Sequence, residues 1–279
     1  MNYFERAKYF RTKKRLGQNF LIDGEVISDI IHYADISSED TVVEIGPGVG
    51  FVTEQLIKYA KKVIAIELDE DAIKELKKLN ASNLEIIHND ILKTDLSSLC
   101  EGKIKIVANI PYYITSPIIA HLLGEIDDLC NKNRAKITDI ILMVQEEVAR
   151  RMCANEKSQG KQYGLLTILS QFWANVEILR IVGRKCFYPA PKVTSALVKL
   201  VVRQKPLLDL SDYSHFRKTV RSGFAQRRKN IKNCLLNGGF SKEAISKSLC
   251  ELGIDENTRG EKLSIADFGK LSELLKKYC

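Results

Sequence analysis

The chain has 279 residues, of which 45% are hydrophobic, and a net charge of +8 at pH 7. No apolar run approaches the roughly 20 residues of a membrane span, and residues 1–15 are too charged to hold the apolar core of a signal peptide. The seven cysteines are scattered and odd in number, without a C-x-x-C pair or metal-ligand spacing. We therefore expect a cytoplasmic protein with reduced thiols, no metal site and no membrane attachment.

The first predicted elements are a loop and a helix. Residues 13–23 mix basic, glycine and amide side chains and fit neither helical nor strand periodicity, which predicts an ordered loop. Residues 25–34 carry apolar side chains at helical spacing, so one face of the predicted helix is apolar. The loop would therefore lead into this helix before the first strand of a sheet begins.

A glycine turn follows the first predicted strand. Residues 41–45 are a short β-branched run that leads into Gly46-Pro47-Gly48-Val49-Gly50 and then into a predicted helix over 51–59. A dinucleotide fingerprint requires its third glycine at position 51, where this chain has Phe51. The GxGxG spacing instead lets the backbone approach a ligand without cradling a phosphate, as in S-adenosylmethionine sites. A purely structural turn is the alternative interpretation.

Two further predicted strands end next to acidic side chains. Residues 63–67 end at Glu67, and residues 84–88 are followed by Asn89-Asp90. An acid at the end of the second strand, roughly 20 residues after the glycine turn, is placed to accept hydrogen bonds from both ribose hydroxyls of a nucleoside. Asp90 is placed to reach an adenine amine, and Asp69 is predicted to cap the next helix. Taken alone, each acid is equally compatible with a cap at a strand end.

The tetrapeptide Asn109-Ile110-Pro111-Tyr112 follows the apolar run 104–108, where a buried strand is expected to end. In open α/β sheets, ligands bind beyond the carboxyl ends of the strands. A side-chain amide, a carbonyl held by the following proline and an aromatic face suit a planar base whose amino group donates two hydrogens, as adenine does. Asn and Pro are also ordinary turn residues. Three strands that each deliver a suitable group to one sheet edge favour the ligand-binding interpretation.

The pattern up to residue 203 predicts further strands and helices and one aromatic loop. Ser116-Pro117 is predicted to start a helix, as N-cap and first-turn proline, and residues 127–139 to form a polar loop. Strands are predicted over 140–144, 176–182 and 196–202, and helices over 146–152 and 164–173. Residues 187–193 form a proline-stiffened loop whose aromatic rings are expected to offer a rigid stacking surface, although a loop without that role has the same composition.

A linker at 204–206 separates this pattern from a basic C-terminal region. Apolar residues from 216 to 235 follow helical spacing, Ser241 and Ser264 are predicted caps, and Gly253 is predicted to end a helix. Residues 1–15 carry six basic and one acidic side chain, and residues 216–232 carry seven basic and no acidic ones. Basic ends around a near-neutral centre indicate a polyanion held at the periphery of a site, unless these charges serve solubility alone.

Six motifs together resemble those of the ribosomal RNA adenine dimethyltransferases, most closely the KsgA/RsmA family, which acts on small-subunit rRNA. They are Leu16-Gly-Gln-Asn-Phe-Leu21, Glu44-Ile-Gly-Pro-Gly-Val-Gly50, Asn109-Ile-Pro-Tyr112, Met143-Val-Gln-Glu-Glu-Val148, Phe187-x-Pro-x-Pro-Lys-Val193 and Phe224-x-Gln-Arg-Arg-Lys229. The Erm resistance methylases of large-subunit rRNA share the first five in similar form. The sixth motif and the tail around Leu252-Gly-Ile-Asp255 are similar to KsgA/RsmA. One departure is Tyr113, where the family more often has Asn or His.

The resemblance implies an α/β fold, with a Rossmann-like S-adenosylmethionine-dependent methyltransferase sheet and basic N-terminal arm in residues 1–203. A small all-α RNA- and ribosome-binding domain would occupy 207–279. The implied reaction is dimethylation of the 6-amino groups of two adjacent adenosines in the 3′-terminal hairpin of 16S rRNA. The implied partner is the immature 30S subunit, and the protein would act as a monomer.

The resemblance also assigns roles to residues. Those implied to contact S-adenosyl-L-methionine are Asn19, Leu21, Gly46, Gly48, Glu67, Asp90 and Asn109. Those implied to position the target base are Asn109, Ile110, Pro111, Tyr112 and Phe187. Those expected to bind RNA are Lys13, Lys14, Arg15, Arg221, Arg227, Arg228 and Lys229.

Three alternative functions share parts of this pattern. An Erm-type 23S rRNA adenine methyltransferase would have the same cofactor and base sites. A DNA adenine methyltransferase usually carries Asn/Asp-Pro-Pro-aromatic and a sizeable target-recognition domain, and this chain has neither. A non-catalytic ribosome-assembly factor would be expected to have lost site residues, whereas all are intact in this chain.

Overall fold

The computed structural model describes residues 2–13, 16–160 and 162–278, and the chain divides into two compact units. The sheet unit comprises Met1–Gly124, Cys130–Ala149 and Ala174–Gln204, and the helical unit comprises Glu125–Leu129, Arg150–Trp173 and Lys205–Cys279. The sequence placed all of 1–203 in one domain, but residues 125–129 and 150–173 cluster with the helical unit. Within the described residues, no helix is long and apolar enough to cross a membrane.

The regular elements are nine strands and twelve helices within the described part of the chain. The strands are β1 (Phe20–Leu21), β2 (Thr41–Ile45), β3 (Lys62–Glu67), β4 (Leu84–His88), β5 (Ile104–Asn109), β6 (Ile137–Gln145), β7 (Ala174–Val182), β8 (Phe187–Tyr188) and β9 (Ser195–Val202). The helices are α1 (Tyr3–Tyr9), α2 (Gly24–Tyr33), α3 (Thr53–Tyr59), α4 (Glu70–Lys77), α5 (Thr115–Leu123), α6 (Lys132–Lys136), α7 (Glu146–Met152), α8 (Leu165–Trp173), α9 (Tyr213–Ala225), α10 (Ile231–Asn237), α11 (Lys242–Glu251) and α12 (Ile265–Lys277).

Seven of the strands form one sheet in the order β4-β3-β2-β5-β6-β9-β7. The first five in this order are parallel, whereas β9 is antiparallel to both β6 and β7. The central parallel strands are nearly continuous buried apolar runs, which is typical of sheets covered on both faces. In the edge strand β7 only the end residues Ala174 and Val182 are buried, and the positions between them are partly or fully exposed.

The strand order reverses at β2, which has β3 on one side and β5 on the other. In this register Ile45 lies beside both Ile66 and Ala108, so the residues that follow β2, β3 and β5 meet at one edge of the sheet. The crevice at such a reversal is where doubly wound α/β proteins bind their ligands. The fold therefore brings the glycine turn, Glu67 and Asn109 together, as the sequence predicted.

A small second sheet joins the N-terminal loop to the segment after β7. In it, Phe20 lies opposite Tyr188 and Leu21 opposite Phe187. Phe20, Leu21 and Phe187 are all buried in the apolar core beside α2 and β2. The predicted loop over 13–23 is thus partly a strand, because its apolar Phe20–Leu21 pair has a partner strand that only tertiary structure supplies.

Three local predictions are wrong. Helix α5 begins at Thr115 and its N-terminal side has no side-chain cap, so Ser116 lies inside the first turn and is not the N-cap. The predicted polar loop over 127–139 contains α6, which Asn131 caps through the main-chain N–H of Arg134, and the first residues of β6. The predicted aromatic loop over 187–193 begins with strand β8. Helix α6 was not predicted because its sequence is polar and because five residues are too few to show an apolar face.

Every regular element between Lys205 and Tyr278 is helical. Two predicted caps are confirmed, since Ser241 accepts from the N–H of Ala244 and Ser264 forms a capping box with Asp267. Gly253 follows the end of α11 with φ of +65°, as a helix-ending glycine does. Phe172 of α8 packs against Phe216 of α9, which explains why residues 150–173 belong with this unit.

Candidate active site

A cleft of about 1040 Å³, counting the space at its open mouth, lies beyond the carboxyl ends of β2, β3, β4 and β5. Ten of the eleven residues predicted for the cofactor and the base line this cleft. They are Asn19, Leu21, Gly46, Gly48, Glu67, Asp90, Asn109, Ile110, Pro111 and Tyr112. The cleft is thus one continuous site, large enough for a nucleoside-sized ligand.

The glycine turn after β2 is joined to the acid at the end of β3. Gly48 donates its main-chain N–H to Glu67 Oε2 at 2.9 Å, and Leu68 and Asp69 donate theirs to Glu67 Oε1, each at 2.8 Å. Burial raises the pKa of Glu67, and these three N–H donors oppose that rise. Each carboxylate oxygen has more than one lone pair, so Glu67 retains acceptor capacity toward the cleft.

The glycines of this turn serve backbone geometry and packing. Gly46 and Gly48 have φ of +66° and +57°, which non-glycine residues rarely adopt. A Cβ atom on Gly48 would lie 2.7 Å from the Phe20 ring, and one on Gly50 would lie 3.0 Å from Leu76. At Gly48 the Phe20 ring therefore leaves no room for a side chain, and at Gly50 the φ of +87° together with the nearby Leu76 favours glycine, which the sequence did not indicate.

Glu44 is an additional acidic residue of the cleft that sequence reasoning did not select. Its side chain is 3% exposed and lines the cleft. Its Oε2 has no hydrogen-bond partner among the described residues. Burial raises the pKa of Glu44 to about 8, and the neighbouring charge of Glu67 adds to the rise. An acid within an apolar strand, two residues before a glycine turn, is the sequence signal that identifies it.

Asp90 lines the cleft two residues after the end of β4. Its Oδ1 accepts from the N–H of Leu92 at 3.0 Å and so caps the 3-10 turn Ile91–Lys93. Its own N–H donates to Asn89 Oδ1 at 2.9 Å. The structure therefore shows the strand-end cap and the cleft position together, and the contact of Asp90 with an adenine amine stays a prediction.

Asn109 is the last residue of β5, and its amide orientation is fixed by a hydrogen bond. Nδ2 donates to the main-chain carbonyl of Asn19 at 3.1 Å. Because a carbonyl oxygen only accepts, the atom that faces it must be the amide nitrogen, and the amide oxygen is left for a donor. The following Pro111 accepts from the N–H of Ile114 at 3.1 Å and begins the turn Tyr112–Ile114.

The two tyrosines of this turn differ in environment. The Tyr112 hydroxyl is hydrogen-bonded to Ser195 Oγ at the start of β9, and burial raises the pKa of Tyr112. The ring of Tyr113 is 64% exposed at the mouth of the cleft, beside Gly17. Tyr112 is thus held by its hydroxyl inside the cleft, while Tyr113 presents an aromatic ring at its mouth.

Phe187 differs most from its predicted placement. It is 2% exposed, pairs with Leu21 in the small sheet and does not line the cleft. The ring of Phe187 is buried in the apolar core next to β1, which the sequence did not indicate. A stacking role for Phe187 on the target base stays a prediction.

The predicted RNA-binding cations divide into paired and exposed groups. Lys13 forms ion pairs with Asp69 and Asp71, and Arg221 lies 3.3 Å from Glu125. Arg227 is half-buried, whereas Arg228 and Lys229 are exposed in the turn between α9 and α10. Lys14 and Arg15 lie outside the described residues. Arg228, Lys229 and the ion-paired Arg221 are therefore the exposed members of the predicted phosphate contacts within the described chain.

Comparison with known proteins identifies the family. The model of the ribosomal RNA adenine dimethylase family matches residues 9–277. The chain belongs to this family. "Ribosomal RNA small subunit methyltransferase A" of Clostridium botulinum (strain Loch Maree / Type A3) is 45% identical over 272 residues, which cover 95% of this chain and 94% of that protein. The protein of the same name from Clostridium acetobutylicum is 43% identical over 270 residues, with the same coverage.

Two solved structures of rRNA- or adenosine-modifying enzymes share the fold. A dimethyladenosine transferase from Plasmodium falciparum has a TM-score of 0.73 and 31% identity, covering 89% of this chain and 94% of its own. The 23S rRNA methyltransferase ErmE has a TM-score of 0.70 and 27% identity, covering 92% of this chain and 100% of its own. The predicted fold class and family are thus confirmed, and the chain is an rRNA adenine methyltransferase by family.

Proposed function

We propose that this protein uses S-adenosyl-L-methionine to dimethylate the 6-amino groups of two adjacent adenosines in the 3′-terminal hairpin of 16S rRNA. The substrate would be the immature 30S subunit, and the protein would act as a monomer in the cytoplasm. The observation that carries the proposal is that Glu67 at the end of β3 and Asn109 at the end of β5, on either side of β2, line one cleft. Support for the small subunit comes from the relatives of 45% and 43% identity that are named for it.

The residues of the cleft fit S-adenosylmethionine. Glu67 offers carboxylate oxygens for ribose hydroxyls, and the buried Oε2 of Glu44, which has no hydrogen-bond partner among the described residues, is a polar atom left for a ligand. When bound, the cofactor supplies a sulfonium methyl group that is already activated for transfer. Glu67 and Asp90 also place two carboxyl groups in the lining of the cleft, which suits a ligand with a positive sulfur and an ammonium group.

The protein's contribution to the reaction is to make the adenine amine nucleophilic. The lone pair of that nitrogen is delocalised into the ring, so the amine must be held in a pyramidal geometry. Asn109 accepts one amine hydrogen through its amide oxygen, because its amide nitrogen is engaged by Asn19. The Ile110 carbonyl accepts the other, and Tyr112 stacks on the base. These are positioning and electrostatic effects, which strengthen as the transition state forms.

No general base is required before methyl transfer, because the proton becomes acidic once nitrogen carries the new bond. The second methylation uses the same groups with one fewer amine hydrogen. The cleft must then admit a monomethylated amine, so its hydrogen bond to Asn109 or to Ile110 is lost while the other is kept. Stacking on Tyr112 is expected to contribute roughly 1–3 kcal/mol to holding the extruded base.

Transfer of a labelled methyl group tests this proposal. Wild-type protein is incubated with labelled S-adenosylmethionine and one of three acceptors, which are immature small subunits, large subunits and naked DNA. We expect label in 16S rRNA only, in two N6-dimethyladenosines. Label in 23S rRNA would favour the Erm-type function instead, and label in DNA or in none of the three would contradict the proposal.

A further inference from the structure

Residues 16–19 run along the wall of the cleft, and we call this segment the strap. Its main-chain carbonyl at Asn19 accepts the hydrogen bond that orients the Asn109 amide. The Asn19 side chain bonds back to the carbonyl of Gly17 at 3.0 Å, which stiffens the segment. The orientation of Asn109 therefore depends on where the strap lies.

One end of the strap is fastened to the segment that follows β3. Gln18 donates Nε2 to Asp69 Oδ2 at 2.7 Å, and its Oε1 accepts from the main-chain N–H of Lys13 at 2.8 Å. Lys13 in turn forms ion pairs with Asp69 and with Asp71. Both polar ends of the Gln18 amide are thus used, and Asp69, at 2% exposed, is shielded from competing water.

The fastening point is also linked to the ribose acid. Asp69 donates its main-chain N–H to Glu67 Oε1 at 2.8 Å. Next to Gln18, the strap lies close to the turn after Asn109, since a Cβ on Gly17 would lie 3.3 Å from both Pro111 and Tyr113. A continuous set of contacts therefore runs from Glu67 through Asp69 and Gln18, and along the main chain to the Asn19 carbonyl, which accepts from Asn109.

We propose that Gln18 and Asp69 are positioning residues for methyl transfer, which clamp the strap so that the Asn19 carbonyl holds the Asn109 amide oxygen toward the adenine amine. This inference rests on the proposed function and assigns a task to two residues that do not themselves touch the reacting atoms. If the clamp is released, Asn109 gains a second amide orientation, in which its nitrogen faces the amine and repels it. The rate of the methyl-transfer step then decreases.

Gln18→Met tests the clamp, because it keeps the length of the side chain and removes both amide hydrogen bonds. At saturating cofactor and RNA, we expect the single-turnover rate to fall by about tenfold or more, since misplacing a reacting group by about 1 Å costs up to about a hundredfold. RNA affinity should stay within about twofold of wild type. The matched control is Gln55→Met, which removes a glutamine hydrogen bond to Tyr3 outside the cleft and should leave the rate unchanged.

Gln18→Glu tests the clamp through the pH dependence of the methyl-transfer rate, which a purely structural role of Gln18 would not change. The new carboxyl would face Asp69, with Lys13, Asp71 and Glu67 as the neighbouring charged groups. Two facing carboxylates repel, but they share a proton at lower pH. We expect the rate of this variant, relative to wild type at the same pH, to recover as pH falls from about 8 to about 5.5. If the ratio of the variant rate to the wild-type rate does not change with pH, the proposed positioning role of Gln18 and Asp69 is wrong.

A nuclear magnetic resonance measurement separates this inference from the proposed function. The Asn109 side-chain NH₂ signal, identified by its absence in Asn109→Ala, can be followed in the free protein. We expect Gln18→Met to shift this signal and speed its exchange with solvent, while Gln55→Met leaves it in place. An unchanged signal and rate in Gln18→Met would overturn the inference even if the wild type methylates 16S rRNA as proposed.

Discussion

The main-chain nitrogen of Gly48 lies 2.9 Å from Glu67 Oε2, so the glycine turn after β2 and the acid at the end of β3 are held together without a ligand. This contact pre-forms the corner of the cleft that the ribose of the cofactor is proposed to occupy. Binding then costs little reorganisation of the backbone. The same contact explains why Glu67 stays inside the cleft although burial raises its pKa.

Glu67→Ala is expected to weaken S-adenosylmethionine binding by roughly 1.5–3 kcal/mol, the contribution of hydrogen bonds to a charged group. The variant removes the proposed acceptor for the ribose hydroxyls and leaves three main-chain N–H groups without their partner. Calorimetric titration of the cofactor measures the change. Because the lost N–H contacts also affect folding, Glu67→Gln serves as the gentler second variant. Unchanged affinity in both variants would contradict the assignment of Glu67.

Asn109→Ala is expected to lower the methyl-transfer rate at saturating RNA much more than it weakens RNA binding. The reason is that its amide oxygen bonds most strongly to the amine as the nitrogen becomes pyramidal. Single-turnover kinetics and a separate RNA-binding titration distinguish the two quantities. Loss of RNA affinity with a wild-type rate would show that Asn109 is only a binding contact.

Glu44 makes the stability of the free protein depend on pH. Its pKa is about 8 in the folded chain and near the ordinary 4.5 when unfolded, so the folded state binds the proton more tightly. Its contribution to stability is therefore fully present below about pH 4.5 and is lost as pH rises toward 8. The slope is at most about 1.4 kcal/mol per pH unit.

Glu44→Gln should remove this slope and make the free protein more stable than wild type at pH 8. Urea unfolding at pH 5, 6.5 and 8, values chosen as roughly spanning the window, gives the difference between variant and wild type. The control is Glu39→Gln, which neutralises an exposed acid in the same unit. A stability difference that stays constant across this range for Glu44→Gln would mean that Glu44 is ionised throughout.

Charge reversal at Arg228 and Lys229 should weaken binding to immature 30S particles and flatten its dependence on salt, without changing cofactor affinity. Each phosphate contact that is lost reduces the slope of log affinity against log salt by about one. The control is Lys242→Glu with Lys270→Glu, which makes the same change in net charge at two other exposed lysines of the helical unit. Equal weakening by both double variants would show a dependence on net charge and not on this turn.

The parallel strands and the groups at their ends could be predicted from the sequence, because β3 and β5 are mainly apolar runs that end at a polar residue and β4 is followed directly by Asn89-Asp90. Glu67, Asp90 and Asn109 therefore lie in the predicted cleft. The placement of Phe187 could not be predicted from the sequence. Its burial depends on pairing with Leu21, which is more than 160 residues away in the chain.

The contacts that hold the strap in place also could not be predicted from the sequence. Lys13 was expected to bind RNA from its charge, yet it pairs with Asp69 and Asp71. A charge pattern along the chain shows that cations are present but not which acids approach them in the folded protein. Glu44 was missed for a related reason, since only the structure shows that its buried oxygen has no partner among the described residues.

Mass spectrometry of 16S rRNA from a strain that lacks this gene is the most direct test of the proposed target. The account predicts that two adjacent adenosines in the 3′-terminal hairpin are unmethylated in the deletion strain. Their dimethylation should return with the wild-type gene and not with Asn109→Ala. If the two adenosines remain dimethylated in the deletion strain, or if a 23S adenosine loses its methyl groups instead, the proposed target is wrong.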